Sequence, residues 1–400
     1  MRFLRAAVIA TVLLGCGEDT PSPTAPENAP ALATGMGGPL SFRQVSPGLD
    51  HACGVTTDDR AYCWGHNDYG QLGNDVTDGP EECNTNPCST RPFAVLGGLR
   101  FRQVSTGDRH SCGITTENRA YCWGRNSEGQ LGDGTQTGRL RPVVVAGTRR
   151  FREVRAGSGH TCAITMTELA FCWGGNGVGQ LGIGSTNNQS TPMRVLGGLL
   201  WRQLSAGDTH TCGLTTADRA YCWGENSHGY LGNNSTSPRL KPVAVSGGLH
   251  FRQIDAGIDH TCAVTSTDYR AYCWGSNAGG ALGDGTRVTH LTPTAVADTR
   301  RYDHVSAGFA YTCGVTRTAR GVCWGASGPG QLGNGTTFRR ATPTPLAVQL
   351  QLGQVSAGFL FTCGVTTSAR AYCWGDNYYG QLGDGTTTNR LVPVAVLGPM

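Results

Sequence analysis

Apolar residues along this chain come in short bursts, each closed by glycine or a polar cluster, and no window sustains the 3.6-residue spacing of an amphipathic helix. One stretch shows the pattern in full: "WRQLSAG" (201–207), "HTCGLTT" (210–216), "RAYCWG" (219–224) and, after a long connection, "PVAV" (242–245). Each segment is of strand length and too short for a helix. The second and third are joined by a tight polar turn. Antiparallel pairing across that turn sets Thr215 against Arg219, Gly213 against Tyr221 and Cys212 against Cys222.

This four-strand unit occurs seven times. Its second segment begins at His51, His110, His160, His210, His260, Tyr311 and Phe361, and each copy runs to a Cys-Trp-Gly triplet carrying Trp64, Trp123, Trp173, Trp223, Trp274, Trp324 or Trp374. The second cysteines stand at 63, 122, 172, 222, 273, 323 and 373, so the intervals are 59, 50, 50, 51, 50 and 50 residues. A period near 50 predicts a propeller or a solenoid. The turns in "VLGGLRF" (95–101), "VLGGLLW" (195–201) and "VSGGLHF" (245–251) predict a hairpin between each proline-bearing strand and the aromatic strand that follows it. The chain opens with "FRQV" (42–45), which lacks a preceding proline strand, and ends with "PVAV" (393–396), which lacks a following aromatic strand. The two ends are therefore expected to pair, closing an all-β, seven-bladed propeller over 41–400.

Composition agrees with that picture. The 60 glycines and 19 prolines set against only 15% charged residues suit a turn-rich β protein. The net charge is +4, Lys241 is the only lysine, and no long basic run exists, so nucleic-acid binding is not supported. Residues 1–15 lead into "LLGC" with a basic start and a short apolar run, the layout of a secretory signal with a lipobox. Cys16 is then the expected lipidation site, and residues 16–40 a proline-rich tether. The alternative is an ordinary signal peptide with a stray cysteine. The protein is expected to be exported, held to the cell or outer membrane through its lipid alone, and monomeric.

Of the 17 cysteines, 14 form the seven spaced pairs Cys53–Cys63, Cys112–Cys122, Cys162–Cys172, Cys212–Cys222, Cys262–Cys273, Cys313–Cys323 and Cys363–Cys373. Cys83 and Cys88 make an eighth pair inside the insertion of the first unit, and only Cys16 is left over. Opposed positions on antiparallel strands lie within disulfide reach, and export favours oxidation. Zinc is the rival, because His210 precedes Cys212 by two residues. The cysteine spacing survives where the histidine becomes Tyr311 or Phe361, so disulfides are expected, with no metal and no cofactor, and the five histidines are expected to pack or hydrogen-bond structurally. "DGT" offers one carboxylate per copy and reads as a turn rather than a calcium loop.

The "GQLGDGT" segments with variants such as "GYLGNNS", together with "AGxxHTC", "CWGxN" and the period, make the chain similar to the regulator of chromosome condensation repeat family over residues 41–398. The match is weakest in the sixth unit, at Ala326 and Ser327. The resemblance implies a seven-bladed propeller, here as an exported bacterial lipoprotein. It also implies two kinds of precedent: intracellular nucleotide exchange on a small GTPase with chromatin binding, and a secreted propeller that inhibits β-lactamases. Export and the paired cysteines argue against the first.

Topology gathers the "AGxx", "WGxNxxG" and "LGDGT" loops on one face. The variable positions there include His66, Asp68, Tyr69, Phe309, Phe359, Leu360, Tyr378 and Tyr379. With blades one and seven adjacent, these form a tyrosine-rich candidate binding patch, and the Cys83–Cys88 loop is a candidate recognition element beside it. No catalytic residue is assigned, since the repeated histidines lack an aligned acidic partner or nucleophile. The expected function is a non-enzymatic scaffold binding a protein or glycan; the alternative is a propeller enzyme acting on extracellular polysaccharide.

Overall fold

The computed structural model describes residues 38–399, so the expected signal segment, Cys16 and most of the tether lie outside the described residues. Seven antiparallel sheets follow one another, each built from one contiguous repeat with its strands in sequence order, except that in blade 1 the inserted strand Glu81–Cys83 lies outside Asn86–Ala94. Blade 4 is typical, with strands Trp201–Ala206, His210–Thr215, Ala220–Gly224 and Arg239–Ala244. Among the described residues there is no helix. The first strands contact one another around the axis, and in blades 2 to 7 the fourth strands form the outer edges.

Register follows the cysteines. Cys212 faces Cys222 and Gly213 faces Tyr221. In blade 5 the extra residue falls in the turn, and Cys262 still faces Cys273. All seven pairs are bonded within their own blade, with Cα atoms 4.0 to 4.1 Å apart. Each bridge also serves the seam. The Cys162–Cys172 bridge, Ile164, Leu181 and Val195 of blade 3 pack on Trp201, Leu204 and Trp223 of blade 4, all buried. The apolar core is therefore distributed between blades, where burying each large side chain contributes roughly 1.5 to 3 kcal/mol.

The expected pairing of the chain ends is corrected. Phe42–Pro47 is the inner strand of blade 1, and Arg390–Ala395 is the outer strand of blade 7, paired only with its own third strand. The Gly-Gly segments are crossings from the outer edge of one blade to the inner edge of the next, with Gly197 and Gly198 at φ 105° and 68°. Proline explains the arrangement: a strand carrying it lacks a ladder donor and is confined to an edge. The ring closes at the blade 7–blade 1 seam by the contacts used elsewhere. Trp64 Nε1 donates to the Gln381 carbonyl at 2.9 Å, and Phe42 N donates to the Ala369 carbonyl at 2.8 Å.

Candidate functional site

The loop face is held by a repeated clamp. In blade 2, Asn126 Oδ1 accepts from Leu131 N at 3.0 Å, while its Nδ2 donates to the Thr137 carbonyl at 3.0 Å, which curls the "GQLGDGT" segment back on itself. The Gln130 carbonyl then accepts from Trp173 Nε1 at 2.9 Å and Thr161 Oγ1 at 2.8 Å, both in blade 3. Because a main-chain carbonyl does the work, Tyr230 and Ala281 replace the glutamine without loss of the contact. Asp133 Oδ1 accepts from Thr135 N at 2.9 Å, the turn role expected for "DGT".

The five histidines join the same clamp. His110 Nε2 lies 2.9 Å from Thr161 Oγ1, and the Thr161 proton is already given to the Gln130 carbonyl. The ring nitrogen Nε2 must therefore be the donor, which leaves Nδ1 as an acceptor. His51, His160, His210 and His260 repeat this with Ser111, Thr211, Thr261 and Thr312. Burial drives these imidazoles down to about 3 or 4, so they are neutral. They are structural, and their Nδ1 atoms have no protein partner.

Above this layer sit the residues anticipated as a binding patch, and they resolve into two groups. At the seam of blades 7 and 1, the His66 ring stacks on Tyr379 at 4.3 Å, and Tyr378 meets Tyr379 edge-on at 4.9 Å. His66 is only 3% exposed and forms the floor of the group, whereas Tyr378 is 47% exposed. Asp68 and Asp50 approach the His66 nitrogens to 2.9 and 3.3 Å, without hydrogen-bond alignment. Tyr69 turns toward blade 2, where Arg109 Nη1 donates to its hydroxyl at 2.7 Å. The second group lies at the channel mouth. Phe309 and Phe359 stack at 4.7 Å with planes 13° apart, and the Leu360 carbonyl accepts from Asp376 N at 3.0 Å.

The insertion of the first unit is a hairpin, Glu81–Cys83 with Asn86–Ala94, which makes blade 1 five-stranded. The Cys83–Cys88 bridge is formed, and the turn residues Asn84 and Thr85 both have positive φ, 50° and 69°. Asn84 Nδ2 donates to the Tyr378 carbonyl at 2.7 Å, so the stapled hairpin leans across the seam onto blade 7. Glu81, Cys83 and Cys88 are the one grouping of possible metal ligands among the described residues, and its sulfurs are already bonded to each other.

Apart from Asp68, the acidic residues of this face were missed. Asp108 and Asp208 line the small cavity, about 90 Å³, at the axis, alongside Leu49, Ile258 and Phe359. Burial, with Asp208 and Asp50 adding to it, pushes Asp108 up to about 6, against a hydrogen bond from Ser158. Burial raises Asp259 and Asp376 as well. Aligning the two positions after each "AG" as a column would have exposed the division: Asp108 and Asp208 on one side of the mouth, Phe309 and Phe359 on the other.

Known proteins bear on this geometry. Residues 12–363 match the RCC1-like domain, and residues 354–381 and 368–400 match the regulator of chromosome condensation (RCC1) repeat. The ultraviolet-B receptor UVR8 of Arabidopsis thaliana is 34% identical over 96 residues, covering 24% of this chain and 20% of that protein. The human probable E3 ubiquitin-protein ligase HERC4 is 34% identical over 93 residues, covering 23% of this chain and 8% of that one. The matched stretches thus span a fifth or less of these relatives. Human WBSCR16 superposes with a TM-score of 0.75 at 20% identity, covering 84% of this chain and 94% of its own. Saccharomyces cerevisiae Prp20p, whose structure was described with its binding properties to Gsp1p and histones, gives 0.71 at 20% identity, covering 89% and 87%. With the domain match spanning most of the propeller and the repeat matches reaching its end, the chain belongs to the RCC1-like domain family.

Proposed function

We propose that this propeller is a non-enzymatic scaffold, exported and tethered, that recognises a protein partner through its loop face at the blade 7–blade 1 seam. The observation that carries the reading is Tyr378, half exposed, flanked by Tyr379 and with its main-chain carbonyl held by Asn84. An aromatic side chain held in place by its surroundings loses little entropy on contact, which is what interface anchors require. The stacked Phe309 and Phe359 extend the apolar area toward the axis, and the carboxylates of Asp108 and Asp208 supply polar selectivity beside it. Eight disulfides suit an oxidising compartment. That Prp20p binds Gsp1p and histones supports propellers of this fold as protein-binding platforms.

The test is capture of partners from a cell-envelope fraction by the purified propeller, compared with a Tyr378→Ala, Tyr379→Ala variant that melts like the parent. A partner retained by the parent and weakened at least tenfold by the variant supports the reading. Equal capture by both moves the site away from the seam. Turnover of a polysaccharide that is abolished by Asp108→Asn would replace the scaffold with an enzyme.

A further inference from the structure

The mouth of the channel opposite the loop face carries a different chemistry. In every blade the first strand slips register against the second immediately after its first residue, as between Phe101 and Gln103 or Trp201 and Gln203. The bulged residue is Arg43, Arg102, Arg152, Arg202 and Arg252 in blades 1 to 5, then Asp303 and Gly353 in blades 6 and 7. A bulge re-aims the extra side chain without disturbing the strand on either side. Five guanidinium groups are thereby brought to one rim.

Each reaches around the ring to the next blade. Arg102 Nη2 donates to the Phe151 carbonyl at 3.0 Å, and Arg152 Nη2 to the Trp201 carbonyl at 2.6 Å and the Arg202 carbonyl at 3.0 Å. Arg202 donates to the Arg252 and Phe251 carbonyls at 2.8 and 2.9 Å. These bonds fix the side chains but leave their charge. Arg43 meets Asp59, Arg202 meets Asp218 at 2.8 Å, and Arg252 meets Asp303 at 3.2 Å. Among the described residues no carboxylate ion-pairs with Arg102 or Arg152, and the Nε atoms of Arg102, Arg152 and Arg202 are buried without a hydrogen-bond partner. Glu153, which lines the same mouth, is committed to Arg155 at 2.8 Å. Burial and the neighbouring Arg152 both act to weaken the hold of Arg102 on its proton, the signature of like charges crowded together.

Arg43, Arg102, Arg152 and Arg202 line a cavity of about 630 Å³ together with four glutamines and the Glu153–Arg155 pair. We propose that this mouth binds a multivalent oxyanion bearing phosphate or sulfate groups, held by Arg102 and Arg152 at its centre. The volume is that of a small-molecule site, the planar guanidinium fork matches tetrahedral oxyanions, and fixing the forks beforehand lowers the entropy lost on binding. The site is at the mouth opposite the loop face and does not depend on the scaffold reading. Such groups arrive either as a free ion or repeated along an acidic glycan.

The test is calorimetric titration of the intact propeller with inorganic pyrophosphate and, separately, with a sulfated hexasaccharide, at low and at physiological salt. Binding of either, weakened at least tenfold in an Arg102→Gln, Arg152→Gln variant and unchanged in the Tyr378→Ala, Tyr379→Ala variant, supports the site. Tenfold preference for the hexasaccharide assigns the glycan source, and equal or tighter pyrophosphate binding assigns the free ion. In the unaltered protein, the bound probe should shield Arg102 and Arg152 from phenylglyoxal, read by peptide mass mapping, which keeps the test independent of how well the variant folds. No binding of either probe, or binding without that protection, overturns the proposal.

Discussion

Blades 1 to 5 and blades 6 and 7 share one frame and differ at three positions of it. The second strand opens with histidine in the first five and with Tyr311 or Phe361 in the last two. The bulge holds arginine in the first five, and Asp303 or Gly353 in the others. At the loop-face mouth, Phe309 and Phe359 of blades 6 and 7 stack, whereas blades 2 and 4 offer Asp108 and Asp208. The tryptophans, disulfides and carbonyl clamps are the same throughout. The fold is thus fixed by groups that point between blades, and the side chains that reach the two mouths are free to diverge. Blades 6 and 7 are aromatic at two of these positions, whereas histidine and arginine mark the other five blades.

The largest expected consequence is in acid. The five buried histidines, at about 3 or 4 when folded, return to about 6.5 when the chain unfolds. A depressed folded pKa means stability that is present above 6.5 and lost as pH falls toward the folded value. Five such groups amount to roughly 7 kcal/mol per pH unit at the steepest, comparable with the whole stability of an ordinary domain. Asp108 pulls the other way: raised to about 6, it contributes stability below its unfolded value that is lost as pH rises through 6. Asp259 and Asp376 share that sign and soften the net loss, which is steepest near pH 5, between the unfolded and folded histidine values. Melting curves recorded from pH 7.5 to 4.5 should drop sharply, with about five to six protons taken up on unfolding near pH 5 from these five histidines and from His304, which burial also lowers to about 4. His210→Tyr, which makes blade 4 resemble blade 6, should reduce that uptake by about one. A melting temperature flat across this range would mean that the aromatic and histidine sectors do not differ in the way described.

The disulfides should show no such division. Each loop of ten or eleven residues is closed in the same register, so the chain-entropy cost of losing a bridge is about 2 to 3 kcal/mol in either sector. Cys212→Ala, Cys222→Ala in blade 4 and Cys363→Ala, Cys373→Ala in blade 7 should destabilise equally to within about 1 kcal/mol, measured by denaturant unfolding of each pair. A markedly larger loss in one sector would show that the bridges are not equivalent supports of their seams.

How much of this was legible in sequence depends on whether the partner lies in the same repeat. Cys212 against Cys222 followed from a short turn and a register, both local. Ring closure did not, because it rests on Trp64 bonding a main-chain carbonyl 317 residues away, and a carbonyl leaves no mark on residue identity. The Gly-Gly segment was misleading for a related reason: positive φ suits a hairpin and a crossing equally, and only the position of the proline strand at an outer edge decides between them. Tyr378, Tyr379 and His66 were found as variable aromatics on one face, but the burial of His66 comes from a neighbouring blade. The arginine rim went unread because "FRQV" looks like an ordinary amphipathic strand, and the bulge that turns the arginine outward is invisible in the pattern.

The smallest effect concerns one of the two seams that depart from the rest in the channel. In five blades glutamine at the third position of the first strand makes two bonds to the next blade: Gln203 Nε2 donates to the Ile254 carbonyl at 2.9 Å and Gln203 Oε1 accepts from Ile254 N at 3.2 Å. Gln354 does the same with Val45 across the closing seam, at 3.1 and 3.3 Å. His304 of blade 6 accepts only a single bond, from Val355 N at 2.9 Å. In blade 3 the position is Glu153, which has no donor and turns instead to Arg155. Arg155 itself stands where blades 2 and 4 have Ser105 and Ser205. Replacing both, as Glu153→Gln with Arg155→Ser, removes a charge pair from the channel and supplies the missing amide to Leu204. A neutral hydrogen bond contributes about 0.5 to 1.5 kcal/mol, and exchanging a mostly buried ion pair for neutral groups is often neutral or favourable. The double variant should therefore melt a degree or two higher at pH 7, whereas Arg155→Ser alone, which strands the Glu153 carboxylate, should melt lower. If the double variant were the less stable of the two, the glutamine ties would not be what binds the inner strands.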